Sequence, residues 1–162
     1  MRAMYGVHLT QEGVTLARRI GQNLGPFDRV VTSTLPRAFE TAIAMGFAVD
    51  EQVELMSSYG DDVEEEVPWP QTFAAYATAV ARNKATYRYA KELARYYTDL
   101  VNSLAEGGAA LAINHGGIVE MGVVACFPEA GYESWGGPVS YCEGVRLSWE
   151  HGKFVNAELL RV

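Results

Sequence analysis

The stretch Ile113-Asn114-His115-Gly116-Gly117 decides how the chain is read. It follows the apolar run Ala109-Ala110-Leu111-Ala112, which reads as a buried strand, and precedes Ile118-Val119-Glu120-Met121-Gly122-Val123-Val124, which reads as a helix. A histidine so placed stands at the carboxyl end of a strand and the amino end of a helix, where open α/β sheets hold their ligands. Free backbone N–H groups and the helix dipole suit such a turn to an anion, and the two glycines let a bulky anion approach the backbone. The expectation is a phosphate-handling histidine.

Outward from that turn, the chain alternates between strands and helices. Towards the amino end, Thr10 reads as an N-cap, with Glu12 in the first turn and Leu16, Ile20 and Leu24 on one face of a helix that Gly25-Pro26 ends. Arg29-Val30-Val31-Thr32 reads as a short strand, and Pro36 as the first position of a second helix running to Phe47. Residues 48–70 read as a long surface excursion whose acidic run, Asp61-Asp62-Val63-Glu64-Glu65-Glu66, is solvated. Residues 71–106 read as helix, broken near Asn83, with Tyr89, Leu93, Tyr96, Tyr97, Leu100 and Leu104 as a core-facing stripe. Towards the carboxyl end, a loop over 128–140 leads to two strands, 144–150 and 153–160, joined by a hairpin turn at His151-Gly152. No repeat, linker or second domain is visible. The pattern predicts one α/β domain over 1–162, a three-layer α/β/α sandwich on a mostly parallel sheet.

Bulk properties narrow the functions. Hydrophobic residues make up 49% and charged residues 20%, a globular composition. A formal charge of −7 speaks against nucleic acid and anionic membranes as partners but leaves room for a local anion pocket. No run is long enough to span a membrane, and Met1-Arg2-Ala3-Met4-Tyr5 does not open a signal peptide. Cys126 and Cys142 have no metal-like spacing and read as reduced thiols of a cytoplasmic protein. Three scattered histidines give no metal site, and no cofactor is called for. A Gly-Lys-Ser/Thr phosphate loop, a Gly-x-Ser-x-Gly elbow and a cysteine-phosphatase loop are all lacking, Cys142 and Arg146 being too close together for the last.

A second strand-to-helix turn matches the first in chemistry. Arg37 falls in the first turn of the helix after Ser33-Thr34-Leu35-Pro36, where its charge opposes the dipole unless it points at an anion. A guanidinium fork suits phosphate oxygens. Taken together, Leu9-Thr10-x-x-Gly13, Ser33-x-Leu35-x-Arg37-Ala38-x-x-Thr41-Ala42 and Asn114-His115-Gly116-Gly117 resemble the successive motifs of the histidine phosphatase superfamily, which includes the phosphoglycerate mutases. The resemblance spans roughly residues 9–160. It implies a phosphoglycerate-mutase-like fold and phosphoryl transfer through a phosphohistidine, with a phosphorylated small molecule or phosphoprotein as the ligand. It casts Arg37 as the phosphate clamp, His115 as the second pocket histidine and the Gly116 N–H as an oxyanion contact. Glu54-Leu55 with Tyr59-Gly60-Asp61 resembles the segment that carries the proton donor, so Glu54 is the first choice for that role and Asp61 the second.

The family also opens with a strand ending in Arg-His-Gly, and these 162 residues contain no such triplet. Arg2-Ala3 and His8 do not fit it, and His151 falls in the hairpin turn. The expectation is a fold whose first strand is missing or degenerate, inactive as it stands unless that motif is supplied. Three explanations are left open: an incomplete record of an enzyme, a pseudoenzyme that binds a phospholigand, or a homo-oligomer in which another chain covers the gap. The alternative reading is a non-catalytic phospholigand-binding or interaction domain.

Overall fold

Strand β1 (Arg29–Ser33) is the axis of the sheet, with all but its first residue buried. In this computed structural model, which describes residues 6–162, β1 pairs in parallel with β2 (Glu51–Val53) on one side and β3 (Ala110–Ile113) on the other. The register sets Ser33 against Val53 and Thr32 against Ile113, so all three strands end at the same edge. Two carboxylates pin that register at the other end. Asp50 accepts the Val30 N–H at 2.7 Å, and Asp28 accepts the Ala109 N–H at 2.8 Å. Side-chain acceptors placed where strands begin satisfy donors that the ladder leaves over.

The fold is α/β, with this parallel sheet, six α-helices and a separate antiparallel hairpin among the described residues. The chain divides into two compact units, one comprising the described part of Arg2–Ser58 with Leu100–His115, the other Tyr59–Asp99 with Gly116–Val162.

The sheet unit holds β1 to β3 with α1 (Gln11–Gly21) and α2 (Pro36–Met45). Thr10 caps α1 as expected, its hydroxyl accepting the Gly13 N–H at 3.1 Å. The helix ends at Gly21, before Gly25-Pro26, and Leu24 lies outside it. Gly21 lies so close to α2 that a Cβ there would stand 2.1 Å from the Met45 carbonyl oxygen. Pro36 opens α2, and Gly46, with a positive φ of 95°, closes it.

The helical unit holds α3 (Asp61–Glu66), α4 (Phe73–Ala81), α6 (Ile118–Cys126) and the hairpin β4 (Gly144–Glu150) and β5 (Lys153–Leu160), with most of α5 (Ala85–Asn102). Its core gathers Phe73, Val123, Val124 and Tyr132, with Val145, Leu147, Ala157 and Leu159 of the hairpin packed against them. Glu66 caps α5 by accepting the N–H groups of Ala85 and Thr86 at 2.9 and 3.0 Å and the Thr86 hydroxyl at 2.6 Å. Arg161 secures the loop after α6, donating to the carbonyls of Trp135, Gly137 and Pro138 at 2.9, 2.6 and 2.8 Å.

Several expectations need correction. The strand before the histidine turn runs 110–113 and is half-buried throughout, because β3 is an edge of the sheet among the described residues. Residues 48–70 are not a surface excursion. They hold β2, a 3-10 turn (Glu54–Met56) and α3, and Val53, Met56, Ser57, Tyr59, Val63 and Val67 are buried. The acidic run is α3 itself: its carboxylates favour the amino end of a helix, while Val63 turns inward. The Gly/Pro-rich loop contains a 3-10 turn, Tyr132–Trp135, whose Tyr132 is buried. Of the helical stripe, Tyr89 and Leu93 are buried, while Tyr96, Tyr97 and Leu100 are half-buried. The hairpin, the break at Asn83 and the two free thiols match the expectation. Met1–Tyr5, where Arg2-Ala3 stands, lies outside the described residues.

Candidate functional site

The shared carboxyl edge of β1, β2 and β3 delivers a side chain from every strand. Ser33 ends β1 and Thr34 follows it, Glu54 follows β2, and Asn114 and His115 follow β3. Ser33 Oγ lies 2.7 Å from His115 Nε2. Thr34 donates its hydroxyl to Glu54 Oε2 at 2.6 Å, with the Ser57 hydroxyl 2.8 Å from the same Thr34 oxygen. The Thr34 N–H donates to Ser57 Oγ at 3.0 Å. Asn114 turns its amide towards Met56 Sδ at 3.7 Å. These contacts need the observed register, which places Ser33 beside Val53 and Thr32 beside Ile113.

Arg37 enters from the first turn of α2, close enough for its charge to act on His115. Burial, and then the Arg37 cation, push the imidazole down from its usual 6.5 to about 4, so the ring is neutral at pH 7. Burial also draws the Arg37 guanidinium below its ordinary value, which leaves it charged. Among the described residues the edge thus offers one fixed cation, a neutral imidazole, a carboxylate and three hydroxyls. That set can grip an anion through charge-assisted hydrogen bonds, and a carboxyl group stands at the same edge, hydrogen-bonded to Thr34.

Arg37, His115 and Glu54 are therefore all in the sheet unit, at one edge. Gly116 follows His115 directly and begins the next stretch of the helical unit; a Cβ there would meet the Trp69 indole nitrogen at 2.8 Å. Asp61 is the exposed first residue of α3 in the helical unit. His8 is exposed and pairs its Nδ1 with Glu40 on α2, whose other oxygen accepts the Leu9 N–H at 2.6 Å. His151 is the exposed residue of the hairpin turn, with a positive φ of 51°. Thr41 turns its hydroxyl back on its own helix, to the Arg37 carbonyl at 2.7 Å.

One detail corrects the reading of the histidine turn. The Gly117 N–H is not free for an anion: Glu120, wholly buried, accepts it at 2.6 Å and accepts the Val139 N–H at 3.0 Å. Burial raises the Glu120 carboxyl above its ordinary value, and these two donors oppose the rise. Thr34 and Ser57 were missed in the sequence. A hydroxyl in a turn has no periodicity, and only the strand register reveals its neighbours. No group of three or more His, Cys, Asp or Glu side chains suited to a metal occurs among the described residues.

Arg37, His115 and Glu54 thus follow the carboxyl ends of a parallel α/β sheet, where folds of this class place ligand sites. The profile of the histidine phosphatase superfamily (branch 1) matches residues 1–160, and the chain belongs to that family. No curated protein matches the chain as a sequence. Its fold is similar to that of phosphoserine phosphatase from Entamoeba histolytica in complex with 3-phosphoglyceric acid. That match has 16% identity and a TM-score of 0.73, covering 100% of this chain and 88% of that one. A mutant of the same phosphatase in complex with phosphoserine matches at 17% identity and a TM-score of 0.71, over 99% and 87%. Phosphoglycerate mutase from Thermus thermophilus matches at 20% identity and a TM-score of 0.61, over 100% and 89%.

Proposed function

We propose that the chain is a histidine-phosphatase-like domain whose sheet edge binds the phosphoryl group of a phosphorylated small molecule or phosphoprotein. The observation that carries this is the closeness of Arg37 to His115, with Glu54 bonded to Thr34 at the same sheet edge. Arg37 is the clamp, His115 donates to a phosphoryl oxygen, and Glu54 is the proton donor to the leaving group, in preference to Asp61. The Gly116 N–H adds an oxyanion contact. Neighbours in complex with 3-phosphoglyceric acid and phosphoserine support a phosphate monoester of a small organic acid as the ligand class.

The family's chemistry runs through a phosphohistidine. His8 is engaged by Glu40 and is not offered as that histidine, so the described residues support binding of the ligand rather than its turnover. The second reading, a phospholigand-binding or interaction domain, rests on that same engagement of His8. The net charge of −7 supports a small-molecule binder over a nucleic-acid or anionic-membrane partner.

Incubating the purified chain with an aryl phosphate at mildly acidic pH, beside calorimetric titration with phosphate and vanadate, tests this. Binding without turnover is the expected result. Turnover lost in His115→Ala would show a working enzyme, and neither binding nor turnover would remove the phosphoryl site altogether.

A further inference from the structure

Ser33 is wholly buried at the end of β1, and its side-chain oxygen has two hydrogen-bonding neighbours among the described residues. His115 Nε2 lies 2.7 Å away, and the Leu35 N–H donates to the same oxygen at 3.3 Å. A serine hydroxyl has one proton to give and two lone pairs to receive. The Leu35 N–H takes a lone pair, and the imidazole nitrogen is the acceptor that the hydroxyl proton meets among the described residues. If Nε2 carried the ring proton instead, Ser33 would receive two hydrogen bonds and leave its own proton unpaired in the interior, which buried polar groups avoid.

We propose that Ser33 is a positioning residue that fixes the tautomer of His115. Its hydroxyl donates to Nε2, so the ring proton sits on Nδ1 and Nδ1–H is the one donor the ring offers to a phosphoryl oxygen. The ring is neutral because burial and Arg37 disfavour a second proton, so there is a single proton to place. His115 then meets a ligand as a hydrogen-bond donor of fixed direction, which favours an ionised phosphoryl oxygen over a protonated one. Only this last consequence rests on the function proposed above; the tautomer follows from the Ser33 contacts.

Long-range proton–nitrogen correlation spectra of the full 15N-labelled chain at pH 7 test the assignment, with the His115 signals identified by their loss in His115→Gln. The expected result is a proton-bearing Nδ1 and a bare Nε2. A proton on Nε2 in the wild type would overturn the proposal, and this measurement needs no variant to fold. Ser33→Ala, checked for folding by circular dichroism, should move the ring towards the Nε2–H form and weaken vanadate affinity about 5- to 10-fold, the effect of one hydrogen bond. Ser33→Thr, which keeps the hydroxyl, should retain the wild-type tautomer. An unchanged tautomer in folded Ser33→Ala also counts against the proposal. A wild type with the expected tautomer that binds neither phosphate nor vanadate leaves the role of Ser33 standing and removes the phospholigand reading instead.

Discussion

At the residue scale, His115 links the site to stability through its protonation. Its folded pKa of about 4 lies below the ordinary 6.5, so as the pH falls the unfolded chain takes up the proton first. Stability is therefore full above the unfolded value and drains away as the pH falls from 6.5 to about 4. Denaturant melts at pH 7 and pH 5 should differ by about 2 kcal/mol from this group, and the same pair of melts on His115→Gln should lack that component. Arg37 is the matching test for binding. Arg37→Ala should weaken phosphate or vanadate affinity about 100-fold by calorimetry, as expected for a charge-assisted, forked contact. Arg37→Lys should recover only part of it, because an ammonium group cannot present the fork. Both residues were legible in the sequence because each sits in a turn between a strand and a helix. Thr34 and Ser57 were not, since they come together only through the pairing of β1 with β2.

At the element scale, legibility followed the strength of the periodic signal. The hairpin was plain because two alternating runs flank a single glycine turn, and the break between α4 and α5 was marked by Asn83, which adopts a positive φ of 56°. Residues 48–70 misled because charge hid a short helical period: Val63 and Val67 stand four residues apart and both are buried, while Asp61, Asp62 and Glu65 between and before them are exposed. The closeness of α1 to α2 could not be read at all. It depends on Gly21, where an added methyl group would strike the Met45 backbone at 2.1 Å. Gly21→Ala should therefore destabilise the sheet unit by about 2–3 kcal/mol in thermal or denaturant melts, despite the better helix propensity of alanine. A smaller cost, or a gain, would mean that the two helices part without difficulty.

At the scale of the whole molecule, charge and connectivity set the behaviour. With an isoelectric point near 4.9, the chain loses its net repulsion at mildly acidic pH. Light scattering should show a solubility minimum there, and the pH 5 melts are best run dilute. The two compact units are interleaved along the chain, the sheet unit taking its last strand from residues far beyond its first two. β3 pairs with β1, and the clasp between Asp28 and the Ala109 N–H joins positions 81 apart. The ordering of events during synthesis follows from this. A ribosome has made both helices of the sheet unit and two of its strands long before the third exists, and the whole of α3 and α4 emerges in between. Until Ala110–Ile113 has emerged, β1 has one edge unpaired and Ser33 has no imidazole to meet. Arg37 and Glu54 must wait for the histidine turn, so the candidate site is assembled late in translation.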